Sequence, residues 1–225
     1  MATDATSATT PPDDLRERLV TAGLRVLGRS GPAELTVRRI AEVAGTSTMG
    51  VYTKFESRAG ILEAIYRRGF QLLRAALAAV PEDPDPLRRI LDLSLAYRRF
   101  ALANMPLYAF MFERPVPDFD PGPALRREAL ETTFSLLVEA VREAAARGAL
   151  PDGDPLPTSY LLWCALHGMV SIELTHAARS PLPGWFLDTP EKGERVLLEG
   201  MQAMLRGARE RGRSPGGGRP RTAER

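Results

Sequence analysis

The chain is poor in the residues that build several common kinds of protein. Its single cysteine, Cys164, rules out an internal disulfide and with it the disulfide-stapled secreted folds. Its two histidines share one segment: His167 stands three residues from Cys164, and His176 three from Glu173, a ligand-pair spacing on a helix. A zinc or di-iron centre needs a second set, and the chain has no other His or Cys to supply one, so neither a metal nor another cofactor is expected. Apolar runs of 18 or more residues are missing, and no charged start followed by an apolar core opens the chain. Neither a membrane span nor export is therefore expected, and the expected residence is the cytoplasm. Alternating strand patterns and repeat periods are missing too, which leaves an all-helical protein. Lysine supplies only Lys54 and Lys192 among 30 basic residues, a bias of genomic origin from which no function follows.

What is present is apolar content sufficient for real cores, and charge that is unevenly spread. A hydrophobic fraction of 44% over 225 residues supports one compact unit plus a larger helical domain. The net charge of +2 conceals three regions. Residues 15–80 carry 11 Lys/Arg against 5 Asp/Glu, residues 81–206 carry 13 against 18, and residues 207–225 carry 6 against 2. A basic head and tail around an acidic middle suit a polyanion reader with a separate control domain. A general DNA-packing protein would be basic throughout.

The head contains a specific pattern. LTVRRIAEVAGTSTMGVYTKFESRAGIL, Leu35 to Leu62, reads as two short helices joined by a glycine-containing turn and followed by a third. That is a helix-turn-helix, which places one helix in the DNA major groove. Thr36 caps a helix with Val37, Ile40, Ala41 and Ala44 on one face. Gly45 can take the positive φ of a sharp helix end. Thr46 and Ser47 offer a second cap, and the next helix runs through Thr48, Met49, Gly50, Val51, Tyr52, Thr53 and Lys54, with Val51 its one strong inward residue. Ser57 can cap the third helix, with Arg58 in its first turn.

Residue chemistry suggests the DNA contacts. The Thr36 and Ser47 helix ends present free N–H groups to phosphates, and Lys54 and Arg58 add charge beside the backbone. Arg38 can fork onto a guanine edge, while Thr48 and Met49 can meet a base edge or a thymine methyl. Tyr52 can lay its ring on a methyl or sugar. The expected DNA-binding set is Thr36, Arg38, Thr46, Ser47, Thr48, Met49, Gly50, Tyr52, Thr53, Lys54 and Arg58. The plainer alternative makes Arg38, Arg39 and Arg58 solvated surface residues and Tyr52 a core residue with a wet hydroxyl.

Residues 15–77 resemble the DNA-binding domain of the TetR family of bacterial repressors, through Thr36, Val37, Ile40, Ala41, Ala44, Gly45, Ser47, Tyr52, Phe55 and Ser57. The chain departs from that pattern at Arg39, where an acid often completes a capping box, and at Thr46, Lys54 and Arg58. YRRFALANMPLYAFMFERP and LLWCALHGMVSIEL resemble the TetR regulators whose C-terminal domain is known by its Trp-His-Gly residues, here Trp163, His167 and Gly168. The resemblance implies a ligand among the C-terminal helices that shifts the spacing of two DNA heads. It also implies a homodimer through a four-helix bundle of the last two helices and their symmetry mates.

The expected organisation is a disordered tail over 1–12, a helix-turn-helix DNA-binding domain over 13–80, a helical effector-binding and dimerisation domain over 81–206, and a basic disordered tail over 207–225. The first helix ends near Gly31-Pro32, and PEDPDP breaks the chain after the third helix of the head. Asp85 and Pro86 then open the next helix. A short helix from Met105 to Phe112 ends in a proline-rich loop, PVPDFDPGP. Helices near 124–147, 158–178 and 190–206 follow. SPGGGRP lacks the Lys-Ser/Thr end of a phosphate loop and is a linker.

Tyr97, Phe100, Tyr108, Phe112, Phe134, Trp163 and His167 are the expected ligand-binding residues, an aromatic wall with a polar point. Plain core packing is the alternative for each. The helices near 158–178 and 190–206 are apolar on more than one face and need partners on several sides. Together these features predict a ligand-responsive regulator, a repressor, that binds a palindromic operator as a homodimer and releases it on binding a small molecule. The alternative is an all-helical enzyme or carrier using the aromatic pocket, although no nucleophile–base–acid set is visible.

Overall fold

Nine helices and one 3-10 turn make up the described residues, 14–178 and 189–213, of the computed structural model. α1 spans Asp14–Ser30, and the 3-10 turn Pro32–Glu34 leads into α2 (Val37–Ala44), α3 (Thr48–Phe55) and α4 (Arg58–Ala78). α5 (Pro86–Ala103), α6 (Met105–Phe112), α7 (Pro123–Ala146), α8 (Pro155–Ala178) and α9 (Pro190–Arg213) complete the chain. The all-helical class predicted from the sequence is correct. No helix among the described residues is long and apolar enough to cross a membrane.

Three of the later helices start in the same way. Proline is the first helical residue of α5, α8 and α9, and the residue before it caps a backbone N–H. Asp85 accepts from Leu87 at 2.9 Å, Asp154 from Leu156 at 3.0 Å, and Thr189 from Lys192 at 3.3 Å. Proline is suited to that place because its missing N–H would have had no helical partner and its φ is already helical.

The helices form two compact units. The first takes the described residues up to Leu72 together with Asn104–Ala129; the second takes Leu73–Ala103 and the residues from Leu130 onward. α4 and α7 each contribute to both. These units do not follow the break at PEDPDP. α6 and the loop behind it belong with the head, because α4 carries Gly69 where α6 crosses it. A Cβ there would lie 2.9 Å from Met111 Sδ and 3.2 Å from a Leu107 methyl. The core of the first unit is Leu19, Leu27, Leu35, Ile40, Val51, Ile61, Leu62, Ile65 and Phe70, all nearly or fully inaccessible. That of the second is built on Ile90, Ala101, Val141, Ala144, Leu162, Val170, Leu197 and Met201.

α9 continues past residue 206, the expected end, and through Gly207 to Arg213. Its buried face carries on through Leu205 and Ala208, so packing overrides the weak helix propensity of one glycine. The expected tail at 1–12, the rest of the expected basic tail from 214, and the SPLPGW break lie outside the described residues.

Candidate nucleic-acid interface and effector region

The head is assembled from local capping rules. Thr36 Oγ1 accepts the Arg39 N–H at 3.2 Å and starts α2. Gly45 ends it in the left-handed region, φ 67°, and the Thr46 N–H returns to the Ala41 carbonyl at 3.0 Å. Ser47 Oγ accepts the Gly50 N–H at 3.3 Å and starts α3. Each cap contributes about 1 kcal/mol, and together they fix the turn between the two helices. Gly50 lets the Thr46 side chain close under the first turn of α3, since a Cβ there would sit 2.6 Å from Thr46 Oγ1.

α3 has two inward residues. Val51 is fully buried and Phe55 nearly so. Ser47, Thr48, Met49, Tyr52 and Thr53 are exposed, Met49 at 70% and Tyr52 at 44%. An exposed methionine and tyrosine on a short, firmly anchored helix are costly in water and suited to a groove. Thr53 donates its hydroxyl to the Met49 carbonyl at 2.9 Å. Arg38 lies on the exposed side of α2, whereas Arg39 is occupied by Glu42 at 2.9 Å.

Three residues that the sequence analysis missed hold this arrangement. Arg16 on α1 donates to the Lys54 carbonyl at 2.9 Å, and its guanidinium lies 4.4 Å from the centroid of the Phe55 ring. Arg18 donates to the Ala44 carbonyl at 2.8 Å. Both cations therefore meet the negative ends of α2 and α3, where the last carbonyls lack helical partners. Glu17, between them, makes a two-bond ion pair with Arg68 on α4, both distances 2.6 Å. That hydrogen bonding holds the Glu17 carboxyl below its ordinary pKa and raises the Arg68 guanidinium.

The turn from α3 to α4 is strained. Glu56 has φ 62° and ψ −35°, at an expected cost of about 1–3 kcal/mol. Ser57 Oγ then accepts the Gly60 N–H at 3.0 Å. Gly60 has no room for a side chain, since a Cβ would lie 2.2 Å from the Phe55 carbonyl oxygen. Arg58 directs its guanidinium to the Pro117 carbonyl at 3.2 Å.

The second unit contains a run of rings. Tyr97 on α5 is hydrogen-bonded through its hydroxyl to His167 Nδ1 at 2.9 Å. The His167 ring lies 5.6 Å from that of Trp163, and Trp163, Phe134 and Tyr160 meet edge-to-face at 5.6–6.2 Å. Burial pushes the His167 pKa down, favouring the neutral imidazole. Phe100 is buried on α5. Tyr108 and Phe112 belong to the first unit, where Phe112 lies 4.7 Å from Tyr108 and 5.4 Å from Phe70, centroid to centroid. An open cleft of about 320 Å³ is lined by Leu87, Leu91 and Leu205 with Arg88, Arg206 and Arg209. Among the described residues, no three His, Cys, Asp or Glu side chains gather as metal ligands.

Known proteins match this architecture. Residues 19–65 match the family of bacterial regulatory proteins, tetR family, and residues 90–184 match the tetracyclin repressor-like C-terminal domain. The chain belongs to the TetR family. A Rhodococcus sp. RHA1 protein of unknown function is 27% identical, with a TM-score of 0.70 over 92% of this chain and 100% of its own. The fatty acid degradation regulator FadR of Bacillus halodurans shares the fold at 15% identity and a TM-score of 0.66, over 87% of this chain and 97% of its own. PfmR, a TetR family transcriptional regulator of Thermus thermophilus, does so at 19% and 0.57, over 84% and 97%. No curated protein matches the chain. The protein is a TetR family transcriptional regulator with the family's DNA-binding fold, and its C-terminal match is consistent with the Trp-His-Gly type.

Two further features of this TetR chain escaped the sequence analysis. Arg98 on α5 is 4% exposed and makes two bonds to the 9%-exposed Glu173 of α8, at 2.8 and 2.6 Å. It also donates to the Pro190 carbonyl at 2.6 Å and stands 3.5 Å from Glu194, so α5, α8 and α9 meet on one cation. Both Glu173 carboxylate oxygens thus accept from Arg98. On α8, Leu156, Tyr160, Leu161 and Ile172 are each about half exposed, and Cys164 is exposed too.

Proposed function

We propose that this TetR protein is a ligand-responsive repressor that binds a palindromic operator as a homodimer and releases it when a small molecule binds. The observation that carries the reading is α3. It is capped at Ser47, anchored by Val51 and Phe55, tied at its far end by Arg16, and open along Thr48, Met49, Tyr52 and Thr53. In this proposal Arg38 and α3 read base edges, while Thr36, Ser47 and Lys54 meet phosphates. Residues 13–80 supply the DNA contacts, and 81–206 supply control and assembly.

The apolar face of α8 supports dimerisation, since large hydrophobics at half exposure on one helix are what a symmetric partner would cover. Tyr97, Phe134, Trp163 and His167 support an effector site, with the Tyr97–His167 bond as its polar point. The effector must bind the DNA-incompetent arrangement more tightly than the competent one, or it shifts nothing.

The test is selection of a duplex from a random library by the purified protein, followed by sedimentation and a compound panel. A palindrome bound by two copies, more weakly as salt rises, is expected. Arg38→Ala should relax base preference and Lys54→Ala should weaken every sequence alike. Failure to prefer any duplex, or turnover of a compound in the panel, would favour the enzyme or carrier alternative.

A further inference from the structure

The residues between α6 and α7 are a folded strap rather than a linker. Val116 and Phe119 are buried, and the Phe119 N–H closes a turn on the Val116 carbonyl at 3.3 Å. The Phe119 ring stacks on Phe110 at 5.5 Å, with 11° between planes, and meets Tyr66 of α4 edge-on at 6.4 Å. Asp120 holds both flanks, standing 3.3 Å from Arg114 and 3.8 Å from Arg126. Arg114 and Asp118 sit at φ 51° and 58°, conformations that persist in non-glycine residues only when their surroundings impose them. Buried anchors, ion pairs and strained hinges all indicate one fixed shape.

That shape ends on Arg58. Its guanidinium donates to the Pro117 carbonyl at the strap's crest, and Arg58 is the first residue of α4, directly behind the strained turn that follows α3. Glu56 at φ 62° and the absence of room at Gly60 make that turn one the local sequence does not favour. It therefore needs a tie from outside, and the Arg58–Pro117 bond supplies one.

We infer that the strap 113–122 is a structural part of the DNA-reading head, and that Arg58 is a positioning residue fixing the α3–α4 turn through Pro117, not a phosphate contact. This inference rests on the DNA-binding function proposed above. The strap's chain enters from α5 by way of α6 and leaves through α7, and both α5 and α7 contribute to the second unit. The strap is therefore continuous in the chain with α6 and α7, while its link to the turn behind α3 is the Arg58–Pro117 hydrogen bond.

The test uses the full chain as wild type, Arg58→Ala, Phe119→Leu and the double variant. Two readouts are needed: affinity for the wild-type-selected duplex and for random DNA over a range of KCl, and hydrogen exchange of α3 amides in the free protein. Loss of the tie should weaken the selected duplex about three- to tenfold for Arg58→Ala and leave random DNA unchanged. The slope of log affinity against log salt should stay the same, α3 exchange should quicken at least about threefold, and the double variant should be no worse than the weaker single. A slope reduced by about one for each bound head would make Arg58 a phosphate ligand and overturn the inference. So would multiplied losses in the double variant, or unchanged exchange. If the wild type selects no duplex, the regulator function fails, while the exchange experiment still decides whether Arg58 and the strap position α3.

Discussion

Surface arginines tie backbone carbonyls in both units, but among the described residues only the second unit also buries one. In the head, Arg16, Arg18 and Arg68 reach across the rim to helix ends or to a carboxylate, Arg16 and Arg18 from exposed positions and Arg68 from a part-buried one. In the second unit Arg98 is inside, 4% exposed, and its partners come from three helices. Rim ties are individually weak, but each fixes the end of a helix and leaves the binding face unencumbered. An internal charge is costly to bury and to strand, yet a matched apolar pair of similar volume would serve stability equally well. The comparison separates precise placement from the setting of register: the head places α3, and Arg98 specifies how α5, α8 and α9 meet.

The largest expected effect breaks the internal tie. Glu173→Ala leaves a guanidinium buried without its carboxylate, and should destabilise by about 3–5 kcal/mol in denaturant titration. Arg98→Met with Glu173→Leu should recover most of that loss. If the double variant is as unstable as the single, the pair contributes stability and not register, and the contrast fails. Next is Gly60→Ala, whose methyl meets the Phe55 carbonyl. The α3–α4 turn must then move, at a cost of about 1–3 kcal/mol. Selective DNA binding should fall well beyond the loss in thermal stability, because the displaced turn adjoins α3, the proposed reading helix.

These contrasts also separate what the sequence reveals from what it hides. Thr36, Gly45 and Ser47 were legible because capping depends on residues three or four positions apart, and Val51 was legible from helical periodicity. Phe55 as a second anchor was not, since its burial is completed by Arg16, 39 residues away (Phe55 minus Arg16). Arg98 and Glu173 are 75 apart, and nothing local marks either as interior. PVPDFDPGP reads in the sequence only as a proline-rich loop, whereas in the structure Val116 and Phe119 are buried and Phe119 meets Tyr66 of α4 and Phe110 of α6. Of the expected aromatic wall, Tyr97, Trp163, His167 and Phe134 form a connected run, whereas Tyr108 and Phe112 serve the core of the first unit.

Smaller effects probe the rim. Arg16→Ala removes a hydrogen bond at the end of α3 and a cation above Phe55, together about 1 kcal/mol. Thermal stability should drop slightly, while selection between duplexes should suffer more. An equal effect on both would show that Arg16 stabilises the head without aiming it.

The smallest effect is the pH dependence of the Glu17–Arg68 pair. Arg68 lowers the Glu17 pKa from its ordinary 4.5, so the folded protein binds that proton less readily than the unfolded chain does. The contribution is therefore complete above pH 4.5 and disappears as pH falls through the depressed folded value. Because Glu17 is 52% exposed, solvent screening holds it to a few tenths of a kcal/mol, about the scale of an exposed ion pair. Glu17→Gln should flatten the acid limb of stability below pH 4.5 by that amount and leave neutral selectivity intact. Since α1 also bears Arg16 and Arg18, a marked loss of selectivity at neutral pH would instead place the α1–α4 pair among the ties that aim α3, and the head would have no purely stabilising rim contact of this kind.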